Sequence, residues 1–172
     1  MFVVLGSIMH VMPVILIVLT LLLIGFVVGG LMGPPWVPTR KRDVDAVLKA
    51  ATLKPGQAFI ELGCGDGRLV AAAASCGAIA IGYEVNPLLW FIAVLRTIRY
   101  YPKARVRMAN FWSKSLAEAD VVMAFLVPRC MQRLAVKAQK EMKPGSRLIS
   151  YIFQVPGKKA IKKSDHWFVY KY

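Results

Sequence analysis

Eight consecutive residues, Glu61-Leu62-Gly63-Cys64-Gly65-Asp66-Gly67-Arg68, hold the densest chemistry in this 172-residue chain. Glycines at 63, 65 and 67 let the backbone turn tightly and bring its amides against a ligand without Cβ interference. A glycine-rich turn alone is weak evidence of a site, and two phosphate loops can be set aside. The third glycine of the dinucleotide fingerprint would fall at Arg68, and no Gly-Lys-Ser/Thr ending makes a P-loop. Charge narrows the ligand further. Glu61 and Asp66 would repel a pyrophosphate but attract a ligand carrying positive charge. Nineteen residues after Gly65 stands Glu84, either a surface charge at a strand end or an acceptor for both hydroxyls of a ribose. A nucleoside with cationic centres meets both conditions. S-adenosylmethionine (SAM), with its ammonium and sulfonium, is the cofactor these residues select.

Other reactive side chains are scarce. The two histidines, His10 and His166, do not make a metal cluster or a His-activated nucleophile, so no metal is expected. Cys64, Cys76 and Cys130 are odd in number with no CxxC pair, which fits reduced thiols in a reducing compartment.

The elements that must position the glycine loop follow from periodicity. Asp43 to Ala51 has an i, i+3, i+4 apolar face and reads as a helix. Ala58 to Leu62 is a short apolar run ending in glycines, a first buried strand, and Arg68 to Cys76 is an Ala-rich helix closed by Gly77. A second strand is expected over Ile79 to Val85, then a helix from Pro87 to Tyr100 with proline at its start. Arg105 to Phe111 reads as a third strand, and Val121 to Val127, continuously apolar, as a fourth at the centre of a parallel sheet. A helix over Pro128 to Met142, a fifth strand over Arg147 to Phe153 and a hairpin turning at Ser164-Asp165 complete the order. The alternation specifies an α/β fold with a doubly wound, mostly parallel sheet. Ligands on such sheets bind beyond the carboxyl ends of the strands, near strand one.

Ahead of this domain lies a different material. The chain carries 23 Lys or Arg against 9 Asp or Glu, a net charge of +14, and every one of these residues lies at or beyond Arg40. From Val11 to Leu31 run 21 uncharged residues, which as a helix would extend about 31 Å, the thickness of a bilayer's hydrocarbon core. A cleaved signal peptide needs a basic start, which Met1 to His10 lacks, and a buried core helix is seldom so long. One transmembrane helix is therefore expected within an N-terminal segment, residues 1–33. A linker and first helix occupy 34–56, and the ligand-binding domain 57–172. Arg40, Lys41 and Arg42 follow the span and no basic residue precedes it, which places the domain in the cytoplasm and the N-terminus outside. These proportions exclude a disordered chain, a polytopic membrane protein and a disulfide-stapled secreted domain.

At the loop residues the chain resembles the seven-strand, class I SAM-dependent methyltransferases. The likeness narrows to the membrane-anchored protein-lysine methyltransferases of the mitochondrial type, members of which methylate the c-ring protein of ATP synthase and the adenine nucleotide translocator. It is carried by Pro35-Trp36-Val37-Pro38-Thr39, Glu61 to Val70, Gly82-Tyr83-Glu84-Val85-Asn86-Pro87, Asn110-Phe111-Trp112 and Val121 to Met131. The resemblance implies that Glu61, Gly63, Cys64, Gly65, Asp66, Gly67, Glu84, Val85, Asn86, Asn110 and Phe111 hold SAM. It places Trp36, Thr39, Phe125 and Pro128 on the substrate and methyl-transfer side. It also implies a membrane protein substrate, with the N-terminal helix in the lipid bilayer. Bland alternatives stand beside several of these: Asn86 as a helix cap, Asp66 likewise, Asn110 as a turn residue, and Phe125 as part of the core. Trp36, Trp112 or Phe125 would suit a lysine by cation–π contact. The chain departs from its relatives at Val155-Pro156-Gly157-Lys158, where an aromatic is usual after the proline, and after strand five, where no room is left for another helix.

Two other functions compete with lysine methylation. The net charge of +14 suits nucleic acid, and a ribosomal RNA or tRNA methyltransferase is one reading. Strand four ends in Phe-Leu-Val-Pro rather than the Asp/Asn-Pro-Pro-Tyr/Phe of adenine or amide methyltransferases, so a nucleic-acid partner is disfavoured. A non-catalytic SAM-binding membrane protein is the other.

Overall fold

A computed structural model describes residues 11–21, 23–25, 27 and 37–172. Its domain is a single sheet of seven strands: β1 (Ala58–Leu62), β2 (Ile79–Glu84), β3 (Ala104–Met108), β4 (Val121–Ala124), β5 (Arg147–Tyr151), β6 (Lys162–Lys163) and β7 (Trp167–Lys171). The helices are α1 (Lys41–Ala50), α2 (Arg68–Ser75), α3 (Pro87–Thr97) and α4 (Pro128–Glu141). The strand order is β3-β2-β1-β4-β5-β7-β6. β1 to β5 run parallel, and β7 returns antiparallel between β5 and β6. The order reverses beside β1, so the loop after that strand lies at the topological switch point, where crevices form in such sheets.

Side-chain alternation splits the core into two layers. Phe59, Val121, Met123 and Ile149 face one side, under Val47 and Leu48 of α1, Leu69 and Val70 of α2, and Ala93 of α3. Ile60, Leu62, Val122, Ala124 and Leu148 face the other, under Met131, Leu134 and Ala138 of α4, with Leu116 from the connection before β4. α1 thus belongs to the same core as the sheet.

Several elements end earlier than their sequence pattern suggests. β2 stops at Glu84 and leaves Val85 in the loop; β3 stops at Met108, so Phe111 opens a 3-10 turn, Phe111–Ser113. β4 stops at Ala124, putting Phe125, Leu126 and Val127 in the crossover. Val85 after β2 is exposed, whereas after β3 and β4 the apolar run continues because the loop packs on the core, as Phe111, Phe125 and Leu126 do. Apolarity there reports burial rather than strand pairing. The segment from β5 to β6 contains no helix.

Residues 11–21, 23–25 and 27 are helical, and Val14, Leu16, Ile17, Leu21 and Leu23 are more than half exposed. Among the described residues no helix is long and apolar enough to cross a membrane. The span expected from Val11 to Leu31 lies partly, and Trp36 wholly, outside the described residues.

Candidate functional site

The loop from Gly63 to Gly67 is held by its own backbone. Gly63 and Cys64 donate to the carbonyl of Tyr83 at 3.0 and 2.9 Å, and Gly67 donates to the carbonyl of Cys64 at 2.9 Å. All three glycines have positive φ, between 54° and 75°, a region that costs other residues strain. Gly67 is also packed tightly: a Cβ there would stand 2.8 Å from the Cβ of Ala93, so α3 can approach the loop only if residue 67 is glycine. Gly63 differs, since a Cβ there would meet nothing within 4 Å. That open side is where a ligand can reach the backbone.

Three carboxylates gather at this loop, all buried, but their surroundings differ. Glu84 is satisfied by backbone donors: Oε2 accepts from Gly65 at 2.8 Å, and Oε1 from Val85 at 2.9 Å and Asn86 at 2.8 Å. It pins the glycine loop to the end of β2. Asp66 is satisfied by cations, with Arg68 Nη2 at 2.6 Å and Arg96 Nη1 at 2.5 Å from Oδ2. Burial works against its charge, but the hydrogen bonds from Arg68 and Arg96 prevail and hold its pKa below the usual carboxylate range. The same Arg68 donates to the carbonyl of Thr39 at 2.8 Å, tying the segment before α1 to the loop.

Glu61 is compensated only in part, by a backbone hydrogen bond from Val70 and the charge of Arg68. Its Oε2 is buried without a hydrogen-bond partner. Burial, then repulsion from Asp66 and Glu84, push its pKa well above the ordinary value. An orphaned buried carboxylate oxygen is costly unless a donor or cation meets it. The site therefore fits a cofactor with an ammonium group. Of the three carboxylates, Glu61 is the one with an oxygen left for a cationic ligand, because Asp66 already has its cations and Glu84 its amide donors.

The remaining predicted residues fall into distinct places. The Cys64 side chain turns into the core, where a Cβ on Gly82 would lie 2.7 Å from its sulfur; burial, with Glu61 and Glu84 nearby, raises its pKa. Only its backbone lies along the loop. Asn86 caps α3, its Oδ1 accepting from Leu88 at 3.0 Å and Leu89 at 3.2 Å. Asn110 caps the 3-10 turn, with Oδ1 accepting from the Trp112 amide at 3.1 Å. Val85 is exposed beside Glu84, an apolar side chain open to a flat ring. Phe111 packs against Trp112 with ring centroids 4.6 Å apart. The Trp112 ring in turn carries the Arg133 guanidinium at 4.2 Å, so its face is taken by α4.

Thr39 is buried, and Pro128 is the exposed first residue of α4. Phe125 meets Tyr151 edge-on, centroids 4.8 Å apart. Nothing in the sequence around Tyr151 singles it out. Its hydroxyl donates to Asp43 Oδ2 at 2.5 Å, and its ring stacks on His166 at 6.4 Å. Burial and the Asp43 carboxylate raise its pKa to about 12, so it stays a neutral donor. Arg40 Nη1 lies 3.5 Å from His166 Nε2. This wall at the ends of β4 and β5 comes from four separated segments, and no local motif joins them.

Comparison with known proteins agrees with this geometry. The ANTKMT methyltransferase domain matches residues 61–162. A protein-lysine N-methyltransferase of Saccharolobus islandicus is 33% identical over 138 residues, covering 76% of this chain and 86% of that protein. The adenine nucleotide translocase lysine N-methyltransferase of Mus musculus is 38% identical over 125 residues, or 71% of this chain; the chain spans 54% of the mouse protein's length. Among solved structures, an RNA methyltransferase from Salinibacter ruber in complex with S-adenosyl-L-homocysteine superposes with a TM-score of 0.75 at 26% identity, covering 78% of this chain and 93% of that one. The matched region begins at Glu61 and takes in the loop, both capping asparagines, and Phe125 and Tyr151 of the wall at β4 and β5, but not Arg40, Asp43 or His166. The chain belongs to the ANTKMT methyltransferase domain family, and its cofactor is S-adenosylmethionine.

Proposed function

We propose that this chain is a SAM-dependent protein-lysine N-methyltransferase that acts on a membrane-associated protein. The observation that carries the cofactor half is the buried, unpartnered Oε2 of Glu61 beside the open face of Gly63. Lysine as acceptor is supported by the relative from Saccharolobus islandicus, whose length the chain nearly spans. SAM supplies a methyl carbon made electrophilic by its sulfonium. Glu84 and the open face of the glycine loop at Gly63 hold the nucleoside, with Val85 against the ring, Asn110 and Phe111 at its edge, and Glu61 facing the ammonium. Thr39, Phe125 and Pro128 border the acceptor side, and Trp36, outside the described residues, is assigned to it by sequence alone. There Tyr151 props Phe125 against the cleft. A lysine held in this water-poor wall beside a positive sulfonium loses its proton readily, so alignment at near-attack distance suffices and no dedicated base is demanded.

The membrane half of the proposal rests on residues 11–27, whose described side chains are uncharged, apolar except for Thr20 and largely exposed, and on Arg40, Lys41 and Arg42 beyond them. Anchored there, the domain faces the cytoplasm with the N-terminus outside. The mouse relative is named for adenine nucleotide translocase, and a lysine on a membrane protein of that kind is the acceptor class proposed here. The Salinibacter ruber structure favours a second reading, RNA methylation. Incubating membranes with radiolabelled SAM separates the two. Label on protein lysine is the expected result. Label in RNA alone would sink the lysine reading, and no label anywhere would leave a SAM-binding protein without catalysis.

A further inference from the structure

The outward stripe of α3 is apolar. Leu89, Ala93 and Thr97 face the sheet and are buried, whereas Phe91, Leu95 and Ile98 are 50%, 55% and 64% exposed. Their spacing of four and three puts them on one face of the helix. Tyr101, 70% exposed, follows just past its end. A helix whose outer face meets only water carries polar residues there, and this one does not.

Charge around the stripe has one sign. From Val85 to Ala117 there is no acidic residue, and Arg99, Lys103, Arg105, Arg107 and Lys114 are basic, as is Arg96, which is paired with Asp66. Arg99 lies over the Tyr100 ring at 4.8 Å and Arg105 over the Tyr101 ring at 5.7 Å. The stripe is also continuous with the exposed apolar helix ahead of the domain. Pro87 lies one turn before Phe91 on the same face, and a Cβ on Gly25 would stand 3.9 Å from Pro87 Cγ.

We propose that the outer face of α3 rests on the surface of an anionic bilayer. Phe91, Leu95 and Ile98 enter the boundary between headgroups and acyl chains, and Arg99 and Arg105 sit among the phosphates, the arrangement of an interfacial amphipathic helix. A second copy fits this face poorly, because a two-fold contact would set the cations of one copy against those of the other. RNA fits it poorly too, since an apolar stripe offers nothing to a phosphate backbone. α3 begins at the carboxyl end of β2, just after Glu84. Docking it therefore fixes the height of the cofactor cleft above the lipid and favours acceptors close to the bilayer. The inference deepens the membrane reading above, yet it does not require residues 11–27 to span the bilayer.

The test uses the full chain reconstituted in phosphatidylcholine vesicles with phosphatidylglycerol and a phospholipid bearing a carbene-generating diazirine. Photolabelled peptides are mapped by mass spectrometry. Label is expected on peptides containing Phe91 to Tyr101. It should fall about fivefold or more in pure phosphatidylcholine or when Arg99→Glu and Arg105→Glu are combined, given roughly 1 kcal/mol per basic residue at an anionic surface. The triple change Phe91→Ser, Leu95→Ser, Ile98→Ser should remove the label while SAM binding by calorimetry is retained, which shows that the fold survives. Label on residues 11–31 with none on α3 overturns the docking proposal and leaves the anchor standing. Label on neither overturns both. Cross-links between α3 helices of two copies, or protection of α3 by RNA in place of lipid, would also overturn it.

Discussion

The cleft has two walls built by different means. At the ends of β1 and β2, one short loop and one carboxylate make the wall, and almost every bond in it joins backbone to backbone or backbone to Glu84. At the ends of β4 and β5, the wall is built mainly by side-chain contacts: Asp43 with Tyr151, Tyr151 with Phe125 and His166, His166 with Arg40, with a backbone bond from Ile152 to the His166 carbonyl beneath them. Backbone amides are the same whatever the residue, so the first wall is bound to a shared cofactor. Side chains can be exchanged one at a time, so the second can be fitted to an acceptor. The two are tied through Asp66–Arg68–Thr39.

The sharpest test of that contrast is Glu84→Ala. It strands three loop donors, at about 1 to 3 kcal/mol for each one left unsatisfied. SAM affinity by calorimetry should fall about 100-fold or more, since each 1.4 kcal/mol is tenfold. An unchanged affinity would show that the loop needs no pin and would refute the cofactor assignment.

Asp66→Asn attacks the tie. Losing charge from a buried pair with two arginines should cost about 2 kcal/mol at neutral pH, less than a fully buried pair because both arginines are partly exposed. The folded pKa of Asp66 is depressed. Its contribution is therefore present above the unfolded carboxylate pKa of about 3.9 and disappears as pH falls through the folded value. Denaturant midpoints of parent and variant should converge once the pH falls below the folded pKa of Asp66. A gap that persisted at that acidity would mean that the ion pairs are not what the variant lost.

Glu61 gives the opposite sign. Its pKa is raised in the free protein, and a cationic ligand favours the ionised form. Binding must then release a proton, and SAM affinity should rise with pH, by at most tenfold per unit, until the free-state pKa is passed. Glu61→Gln should flatten the profile. A flat profile in the parent protein would place the ammonium elsewhere.

Tyr151→Phe is the mildest and probes the second wall alone. It removes the bond to Asp43 while keeping the ring on Phe125, a loss of about 1 kcal/mol. Turnover on the protein acceptor should drop severalfold with SAM affinity unchanged. If SAM affinity dropped in step, the two walls would not be separable.

Much of the first wall was legible in the chain because its residues are neighbours. Gly63, Gly65 and Gly67 announce a turn, and Glu84 follows at the distance one βαβ unit sets. What that reading missed was the balance of charge. Asp66 looked like a partner for the cofactor, but Arg96 approaches it only because α3 packs against the loop at Gly67. Trp112, a plausible clamp for a lysine, is faced by Arg133 from a helix one strand further on. Strand ends were blurred at Phe111 and Phe125, since apolar residues continue where a loop covers the core, and at Val85, an exposed apolar residue beside the cleft.

Local sequence alone determined the alternation of strand and helix, the glycine loop and the uncharged stretch before Arg40. These are matters of periodicity, of glycine's freedom at positive φ, and of composition. Tertiary structure alone decided which carboxylate keeps an uncompensated oxygen, and that Asp43, 108 residues before Tyr151, meets its hydroxyl. Charge compensation and side-chain contact depend on what the folded sheet brings within a few ångströms, and spacing along the chain does not encode that distance.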